Sequence, residues 1–413
     1  MESPTAGRSP FLCLALIYSL ALAYQKIPLP KLRSRLAGGL DVWVLADNDF
    51  YSQRDAQATS PPPSAQLRSL PPFKPLDCAI SEVHKTELGS SAALTTSLVS
   101  SLLLHLGVVE DRSLNDDESL VWLHNAAQLA HCAAQGKVGS GFDVSSATWG
   151  SQVFRRFDPS ALEALLTEIP QYAFEGDGAE THLRDLPSLT FRLSPANTLW
   201  KPSPLSAKTR KEQRLEEGAH PTAFEGLHYT QAANTTVASG QLPRPAPLEL
   251  PPHVHVLLAD VDAGSNTQSL VSKVMAWKKK KPEWSQQLHS VLATSNQSLA
   301  DALLSLSLAA QRDAGKYASV LRTAASQRSK TWPEPRAQDD PEDPMTHLVA
   351  ARNALGSIRA GMRELGKLSG APIEPDEMDR VLQQVTDGVE GVIGGGVPGA
   401  GGYDALYFIY VAE

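Results

Sequence analysis

Residues 84–106, HKTELGSSAALTTSLVSSLLLHL, join a short loop with a lysine, a glycine and two hydroxyls to an apolar run. The run predicts a helix that begins near Ser90, because its residues recur at helical spacing, namely Leu94, Leu98, Ser101 and Leu102. A helix N-terminus offers unpaired N–H groups and the positive end of the helix dipole, so it suits an anion. Simple N-capping by Ser90 or Ser91 is the alternative interpretation.

The composition indicates a globular protein of two or three domains. Of 413 residues, 42% are hydrophobic and 20% are charged. The net charge of -8 argues against a dedicated nucleic-acid-binding protein. The cysteines Cys13, Cys78 and Cys132 are too few and too scattered for a disulfide framework or a zinc site, so we expect a reduced, cytoplasmic protein.

The N-terminal segment has two interpretations. SPFLCLALIYSLALAY, Ser9–Tyr24, follows Arg8 and is typical of the apolar core of a signal peptide, with a cleavage site near Ala23. A buried helix would have the same composition. The segment is too short to predict a membrane span.

Two strands and a helix are predicted in the first half of the chain. Gly39–Asp47 and Cys78–Val83 have the character of short strands, separated by a proline-rich loop over 48–75. A helix from about Ser119 to Gln135 should end at Gly136, since glycine is favoured just past a helix C-terminus.

The second half begins after a predicted linker over 199–252, which holds a basic run and a proline-rich run. His253–Val261 predicts a strand, and long helical patterns follow at 267–281, 283–312, 344–368 and 375–387. The stretch 313–343 begins helical and ends as a loop, and the chain closes on a glycine-rich turn and one strand. These patterns predict two domains, 1–198 and 253–413, on either side of the linker.

A second motif surrounds Asp143, within QGKVGSGFDVSSATWG at 135–150. Glycines, a lysine, a serine and one isolated carboxylate in a loop are compatible with a general base for phosphoryl transfer. The alternative is an aspartate that caps the next helix.

A third motif is GVIGGGVPGAGGYDA at 391–405. So many glycines, with a proline, predict an irregular segment whose consecutive N–H groups could wrap an anion. A flexible tail is disfavoured, since the apolar strand Leu406–Val411 follows.

In this order the three motifs resemble those of the GHMP kinases, which are small-molecule ATP-dependent kinases. The resemblance narrows to the fungal type of phosphomevalonate kinase and covers nearly the whole chain. It is carried by HKTELGSSAA and GVPGAGGYDA, and by four further segments: ADNDFYSQ at 46–53, HNAAQLAHCAAQGKVGSGFDV at 124–144, RRF at 155–157 and DVDAGSNTQSLVSKVMAW at 260–277.

The resemblance implies an α+β fold of two domains with the active site in the cleft between them. It implies transfer of the γ-phosphoryl group of ATP, with Mg²⁺, to (R)-5-phosphomevalonate in isoprenoid and sterol synthesis. Asp143 and Lys85 would be catalytic, Ser91 would also contact Mg²⁺, and Lys137, Ser140 and Ser265 would bind the substrate. The ATP phosphates would lie against Gly89, Ser90, Ser91, Ala92, Gly396, Gly399, Gly401 and Gly402.

The sequence also departs from the family pattern. The family's first motif, a Pro-Gly-Lys segment, has no counterpart, and a terminal helix is expected beyond the last strand, so a chain truncated at both ends is expected. Glu87 stands where the phosphate loop normally has glycine, and Gln135 lies near the place of a Mg²⁺-binding carboxylate of mevalonate kinases. A non-catalytic relative that only binds ligand or a partner remains the alternative. Neither nucleic acid nor membrane is expected as a partner, and the oligomeric state is left open.

Overall fold

The chain divides into two compact units, each of which is described separately. The computed structural model describes residues 9–51, 53, 63–75, 89–110, 117–154, 162–163, 166, 246–261, 267–336, 340–403 and 405–412. The first unit takes the described residues up to Ala46, those from Gly89 to 166, and 246–247. The second takes 47–75 and those from Leu248 onward. The predicted domain limits remain a prediction.

The first unit is helical, with one small two-stranded sheet. Its helices are α1 (Pro10–Lys26), α2 (Leu29–Leu36), α4 (Ser90–His105), α5 (Asp117–Gln135) and α6 (Phe142–Trp149). The strands β1 (Gln152–Val153) and β2 (Ala246–Pro247) pair antiparallel. Helix α5 ends as predicted, since Gly136 adopts a φ of 66° and Lys137 N–H donates to the carbonyl of Cys132 at 3.2 Å.

Helices α1, α4 and α5 pack around one core. Helix α1 places Ala15, Leu22 and Tyr18 in that core, as the buried-helix interpretation of Ser9–Tyr24 predicted. Residues of α5 are buried on every side from Val121 to Cys132, rather than along one stripe. The loops around α5 are therefore attached to the most enclosed element of the unit.

The strand predicted over Gly39–Asp47 is wrong. These residues have no regular structure, and the Trp43 side chain is 82% exposed. A strand needs a neighbour to pair its N–H and C=O groups, and within the described residues no partner lies alongside this segment. The second predicted strand, Cys78–Val83, lies outside the described residues, as does the linker from 199 to 245.

The second unit combines long helices with a three-stranded sheet. Its elements are a 3₁₀ turn (Asn48–Phe50), α3 (Ser64–Arg68), β3 (Val254–Asp260), α7 (Thr267–Lys280), α8 (Pro282–Arg312), α9 (Ala314–Ala325), a 3₁₀ turn (Ser329–Thr331), α10 (Pro344–Ser369), α11 (Asp376–Gly388), β4 (Val392–Gly396) and β5 (Ala405–Val411). The four long helical patterns predicted for this half and the helical start of 313–343 are confirmed, as are its first and last strands.

The sheet is antiparallel in the order β3-β5-β4. Helix α10 packs on β4 and against α8, which forms an apolar core around Leu306, Leu348 and Ile393. Together, the helices and the small sheet make the fold α+β in character. Within the part of the chain that the structure describes, no helix has both the length and the apolar character needed to cross a membrane.

The glycine-rich segment is regular at its start, contrary to the prediction. Residues Val392–Gly396 form β4, which is buried and pairs with β5. A larger residue would not fit at these positions, because neighbouring atoms fill the space where a side chain would begin. A Cβ on Gly395 would lie 2.7 Å from the ring of Phe408, and a Cβ on Gly394 would lie 2.9 Å from Leu355. Close packing therefore selects glycine in this strand.

Candidate active site

The N-terminus of α4 begins at Gly89, which has φ 77° and ψ 27°. This left-handed conformation is open to glycine without strain. The amides of Ala92 and Ala93 both donate to the carbonyl of Gly89, at 3.0 and 3.1 Å. Because Ala92 is buried and its N–H is already bonded, Ser90 and Ser91 are the residues whose first-turn amides have no acceptor within the helix.

The capping alternative for this helix is wrong. The N-cap is Gly89, and among the described residues no side chain makes the capping hydrogen bond. The hydroxyl of Ser91 instead lies 3.1 Å from Nε2 of His131 on α5. The two elements are thus joined by a side-chain hydrogen bond at the point where the helix dipole is positive.

His131 links the two predicted motifs of the first unit. Its Nε2 atom lies 3.1 Å from Ser91 Oγ, 3.4 Å from the side-chain amide nitrogen of Gln135, and 3.9 Å from Asp143 Oδ2. The His131 side chain is 2% exposed, and its ring packs 5.5 Å from that of Phe11. One buried nitrogen therefore faces the hydroxyl of α4 and the carboxylate of α6.

Asp143 lies in the first turn of α6, behind Gly141, which is the N-cap. Its Oδ1 accepts from the amide of Val144 at 2.9 Å, so the aspartate is not the helix cap that the alternative interpretation required. The carboxylate is 25% exposed. A Cβ placed on Gly89 would lie 3.8 Å from Asp143 Cβ, so the aspartate adjoins the start of α4.

Burial governs protonation along α5. Burial lowers the pKa of His131, against the opposing charge of Asp143. Burial lowers the pKa of His124 to about 4, and it raises the pKa of the Cys132 thiol. Near neutral pH the two imidazoles and the thiol are therefore uncharged.

The other predicted site residues of the first unit lie near this cluster in sequence. Lys137 is exposed just beyond α5, and Ser140 is half-buried before α6. Among the described residues, no side-chain bond joins either of them to Ser91 or Asp143. Lys85 and Ser265 lie outside the described residues.

The predicted glycines of the third motif belong to the second unit. Gly396 ends β4 and packs under the Tyr407 side chain, so it lies in the sheet and not in the open loop. Gly401 donates its amide to the carbonyl of Pro398 at 3.2 Å, and Gly402 donates to that of Ile373 at 2.8 Å. A Cβ added at Gly399, where φ is 66°, would meet no described atom within 4 Å. Of these four, Gly399 is exposed and the other three are buried.

Sequence reasoning missed His131 as a site residue, although a signal was present. Four polar residues recur along α5 at spacings of four, three and four positions, which places them on one helix face: His124, Gln128, His131 and Gln135. Each is flanked by alanine or leucine in an otherwise buried helix. A polar row inside a buried helix requires partners, and His131 finds one in Ser91 at the α4 N-terminus, with Asp143 of α6 3.9 Å away.

The oxygen-bearing side chains near the start of α4 can be compared with the ligands that ATP-bound Mg²⁺ requires. The described residues include no group of three or more acidic, histidine or cysteine side chains that could hold a metal ion by themselves. Mg²⁺ in kinases needs only one or two protein oxygens when nucleotide phosphates supply the rest. The Ser91 hydroxyl beside the α4 N-terminus fits a Mg²⁺ ion that arrives with ATP.

Comparisons with known proteins identify similarity to one group of enzymes along most of this chain. The chain is 34% identical over 376 residues to "Phosphomevalonate kinase erg8" of Aspergillus fumigatus and 30% identical over 433 residues to "Phosphomevalonate kinase, peroxisomal" of Arabidopsis thaliana. It is 33% identical over 363 residues to "Phosphomevalonate kinase ERG8" of Gibberella zeae. These matches cover 90%, 100% and 88% of this chain.

The chain spans 59% of the length of each of the two fungal relatives and 74% of the plant relative. A scan against protein-family models finds no match. A crystal structure of the Lin0012 protein from Listeria innocua aligns with a TM-score of 0.43 at 15% identity, covering 80% of this chain and 61% of that one.

Proposed function

Because the chain belongs to the phosphomevalonate kinase family, we propose that it transfers the γ-phosphoryl group of ATP to the phosphate of (R)-5-phosphomevalonate. The observation that supports this reaction best is the meeting of Ser91 and Asp143 at His131, which sets an anion-binding helix terminus beside an isolated carboxylate. Phosphoryl transfer needs such a pair, because donor phosphates and acceptor must be held close together.

The donor side of the reaction is assigned to the start of α4. The amides of Ser90 and Ser91 would bind the ATP phosphates, with Gly89 allowing their close approach and the helix dipole adding attraction. The Ser91 hydroxyl would contact Mg²⁺, which neutralises phosphate charge when it is bound. We assign the same neutralising role to Lys85, which precedes α4 in the sequence.

The acceptor side is assigned to Asp143. The attacking atom is a phosphate oxygen of the substrate, which is already largely ionised near neutral pH. Asp143 therefore acts mainly by orienting that oxygen or the proton it still carries, rather than by removing a proton from an alcohol. Lys137, Ser140 and Ser265 would hold the substrate phosphate and carboxylate through charge and hydroxyl contacts.

The glycine loop of the second unit is assigned to the ATP phosphates, through Gly399 and its neighbours Gly401 and Gly402. The loop is fixed at its base because Gly402 bonds to Ile373 and the Tyr403 hydroxyl donates to Glu377 at 3.0 Å. A fixed base with an open tip at Gly399 is suited to presenting amides to an anion. Gly396 supports this loop from inside β4.

Turnover assays test the reaction directly. ADP release by this chain is measured with MgATP and phosphomevalonate, with mevalonate, and without acceptor. We expect turnover with phosphomevalonate alone. Asp143→Asn, which keeps size and removes charge, should lower kcat by about 100-fold or more, as loss of a general base or orienting group does.

The matched control is Asp41→Asn, which removes a carboxylate from an exposed position of the same unit. It should leave kcat unchanged. Equal turnover of Asp143→Asn and the parent chain would overturn the role of Asp143. No turnover by folded parent chain would favour the non-catalytic alternative. Equal turnover with mevalonate would reject the proposed acceptor.

The cytoplasmic location and the absence of nucleic-acid and membrane partners remain predictions from the cysteine pattern and the charge. One relative has "peroxisomal" in its name. The arrangement of two domains around a cleft likewise stays a prediction of the resemblance.

A further inference from the structure

We propose that His131 is a positioning residue, whose unprotonated Nε2 accepts a hydrogen bond from the Ser91 hydroxyl and so turns the lone pairs of Ser91 Oγ toward a phosphate-bound cation. The proposal deepens the proposed kinase function and rests on it for its kinetic consequence. Its structural content, the direction of one hydrogen bond, is independent of turnover.

The atoms around Nε2 favour this direction of the hydrogen bond. Ser91 Oγ lies 3.1 Å from Nε2, within hydrogen-bonding distance, whereas Asp143 Oδ2 at 3.9 Å is beyond it. The side-chain amide nitrogen of Gln135, which can only donate, also approaches the same nitrogen, at 3.4 Å. With the Gln135 amide nitrogen as a donor, Nε2 is assigned as the acceptor, and the Ser91 hydroxyl is then the second donor to it.

The chemistry of the hydroxyl gives the same answer. An oxygen that contacts a cation or a phosphate-bound cation must direct its lone pairs outward and its proton away. At Ser91 the inward direction is occupied by His131, which is 2% exposed and therefore lies away from solvent. A neutral imidazole can accept a hydrogen bond from that hydroxyl without adding charge between Ser91 and Asp143.

His131 also lies between the residue assigned to the ATP side of the reaction, Ser91, and the residue assigned to the acceptor side, Asp143. Ser91 belongs to α4 and Asp143 to α6, and both face the ring that α5 carries. Because Asp143 is too far from Nε2 for a hydrogen bond, its carboxylate remains available to the acceptor. The Phe11 ring from α1, 5.5 Å away, restricts rotation of the imidazole.

Solution NMR of the ¹⁵N-histidine-labelled full chain tests the hydrogen bond itself. The His131 ring should show an unprotonated Nε2 and a protonated Nδ1, and Ser91→Ala should shift the Nε2 signal toward that of a free acceptor. His124→Gln removes the other buried imidazole of α5 and assigns the signals. A protonated Nε2, or an Nε2 signal that Ser91→Ala leaves unchanged, would overturn the proposal.

Kinetics tests the positioning role with a matched series. His131→Leu fills the space without an acceptor and should lower kcat roughly 10–100-fold, the range found when a side chain that orients a ligand-contacting residue is lost. His131→Gln offers an acceptor near the position of Nε2 and should recover most of that loss. The KM for phosphomevalonate should change much less than kcat, because Asp143 remains in place.

His124→Leu is the control for loss of a buried imidazole from the same helix. It should retain kcat once the folded fraction is equal by circular dichroism. Equal losses in His131→Leu and His131→Gln, or the same loss in His124→Leu, would indicate a purely structural histidine and reject the proposal. If the parent chain lacks turnover, the proposed function fails, and the NMR result alone tests whether Ser91 donates its hydrogen bond to His131.

Discussion

Glycine serves two different purposes in the two units. In the first unit Gly89 has a φ of 77°, and among the described atoms a Cβ there would touch only Asp143 Cβ, at 3.8 Å, so backbone conformation selects the residue. In the second unit Gly395 has no positive φ, but a Cβ there would overlap the Tyr407 carbonyl and the Phe408 ring. Motifs that look alike in sequence therefore respond to mutation for different reasons.

The cores around these glycines also differ. The first unit buries imidazole and amide side chains on α5: His124, Asn125, Gln128 and His131. Among its described residues, the second unit instead buries serines and the carboxylate of Glu374, which is ion-paired with Arg359. Its sheet packs on leucine, isoleucine and phenylalanine. The first core should thus respond to pH, while the second should respond mainly to volume.

The largest expected effect is overpacking of β4. Gly395→Ala should lower the free energy of unfolding by about 3 kcal/mol, because the backbone of β5 cannot move aside as a flexible side chain could. Gly356→Ala, at an exposed position of α10 where a Cβ would meet no described atom within 4 Å, should instead stabilise by about 0.5–1 kcal/mol. Urea unfolding checks both. Equal effects at the two sites would show that close packing does not select glycine in β4.

Acidification should produce the next largest effect. The folded pKa of His124, about 4, lies below its ordinary value of 6.5, so the unfolded chain binds more protons between these values. This histidine's contribution to stability is complete above pH 6.5 and is lost as the pH falls toward 4. At pH 5 the loss should be about 2 kcal/mol, at about 1.4 kcal/mol per pH unit below 6.5.

Urea unfolding at pH 7 and pH 5, for the parent chain and His124→Gln, measures this difference. The variant should be less sensitive to acid by most of the stated amount. His347→Gln is the control from the second unit, where burial lowers the pKa of a half-buried histidine in the same direction. If His347→Gln reduced the loss of stability between pH 7 and pH 5 and His124→Gln did not, the first core would not be the pH-sensitive one.

The smallest effect is expected at Gly89. Gly89→Ala should destabilise by about 1 kcal/mol, because a left-handed backbone is strained for alanine while the space beside it is open. Gly89→Asn should destabilise less, since asparagine tolerates this conformation better. Thermal unfolding compares the two. A loss as large as that of Gly395→Ala would mean that volume, and not conformation, selects glycine at both sites.

The sequence predicted the long helices well and the sheets only in part. The helices over 267–280, 282–312 and 344–369 were predictable because their apolar residues repeat over several turns. The strand predicted over Gly39–Asp47 was wrong, because a strand depends on a pairing partner that the local sequence does not specify. The prediction for Val392–Gly396 was wrong in the opposite sense: an irregular segment was predicted, and the structure has a strand. The buried pairing with β5 outweighs the low strand propensity of glycine.

By itself, the sequence determined the family, the position of α4 and Asp143 as a candidate site residue, since these depend on local motifs and on regular spacing. Only the tertiary structure decided that Ser91 bonds to His131 instead of capping α4, and that Asp143 lies 3.9 Å from the same nitrogen. These residues are well separated along the chain, and their meeting follows from the packing of α4, α5 and α6. No local propensity encodes that packing, because it depends on which buried faces fit together.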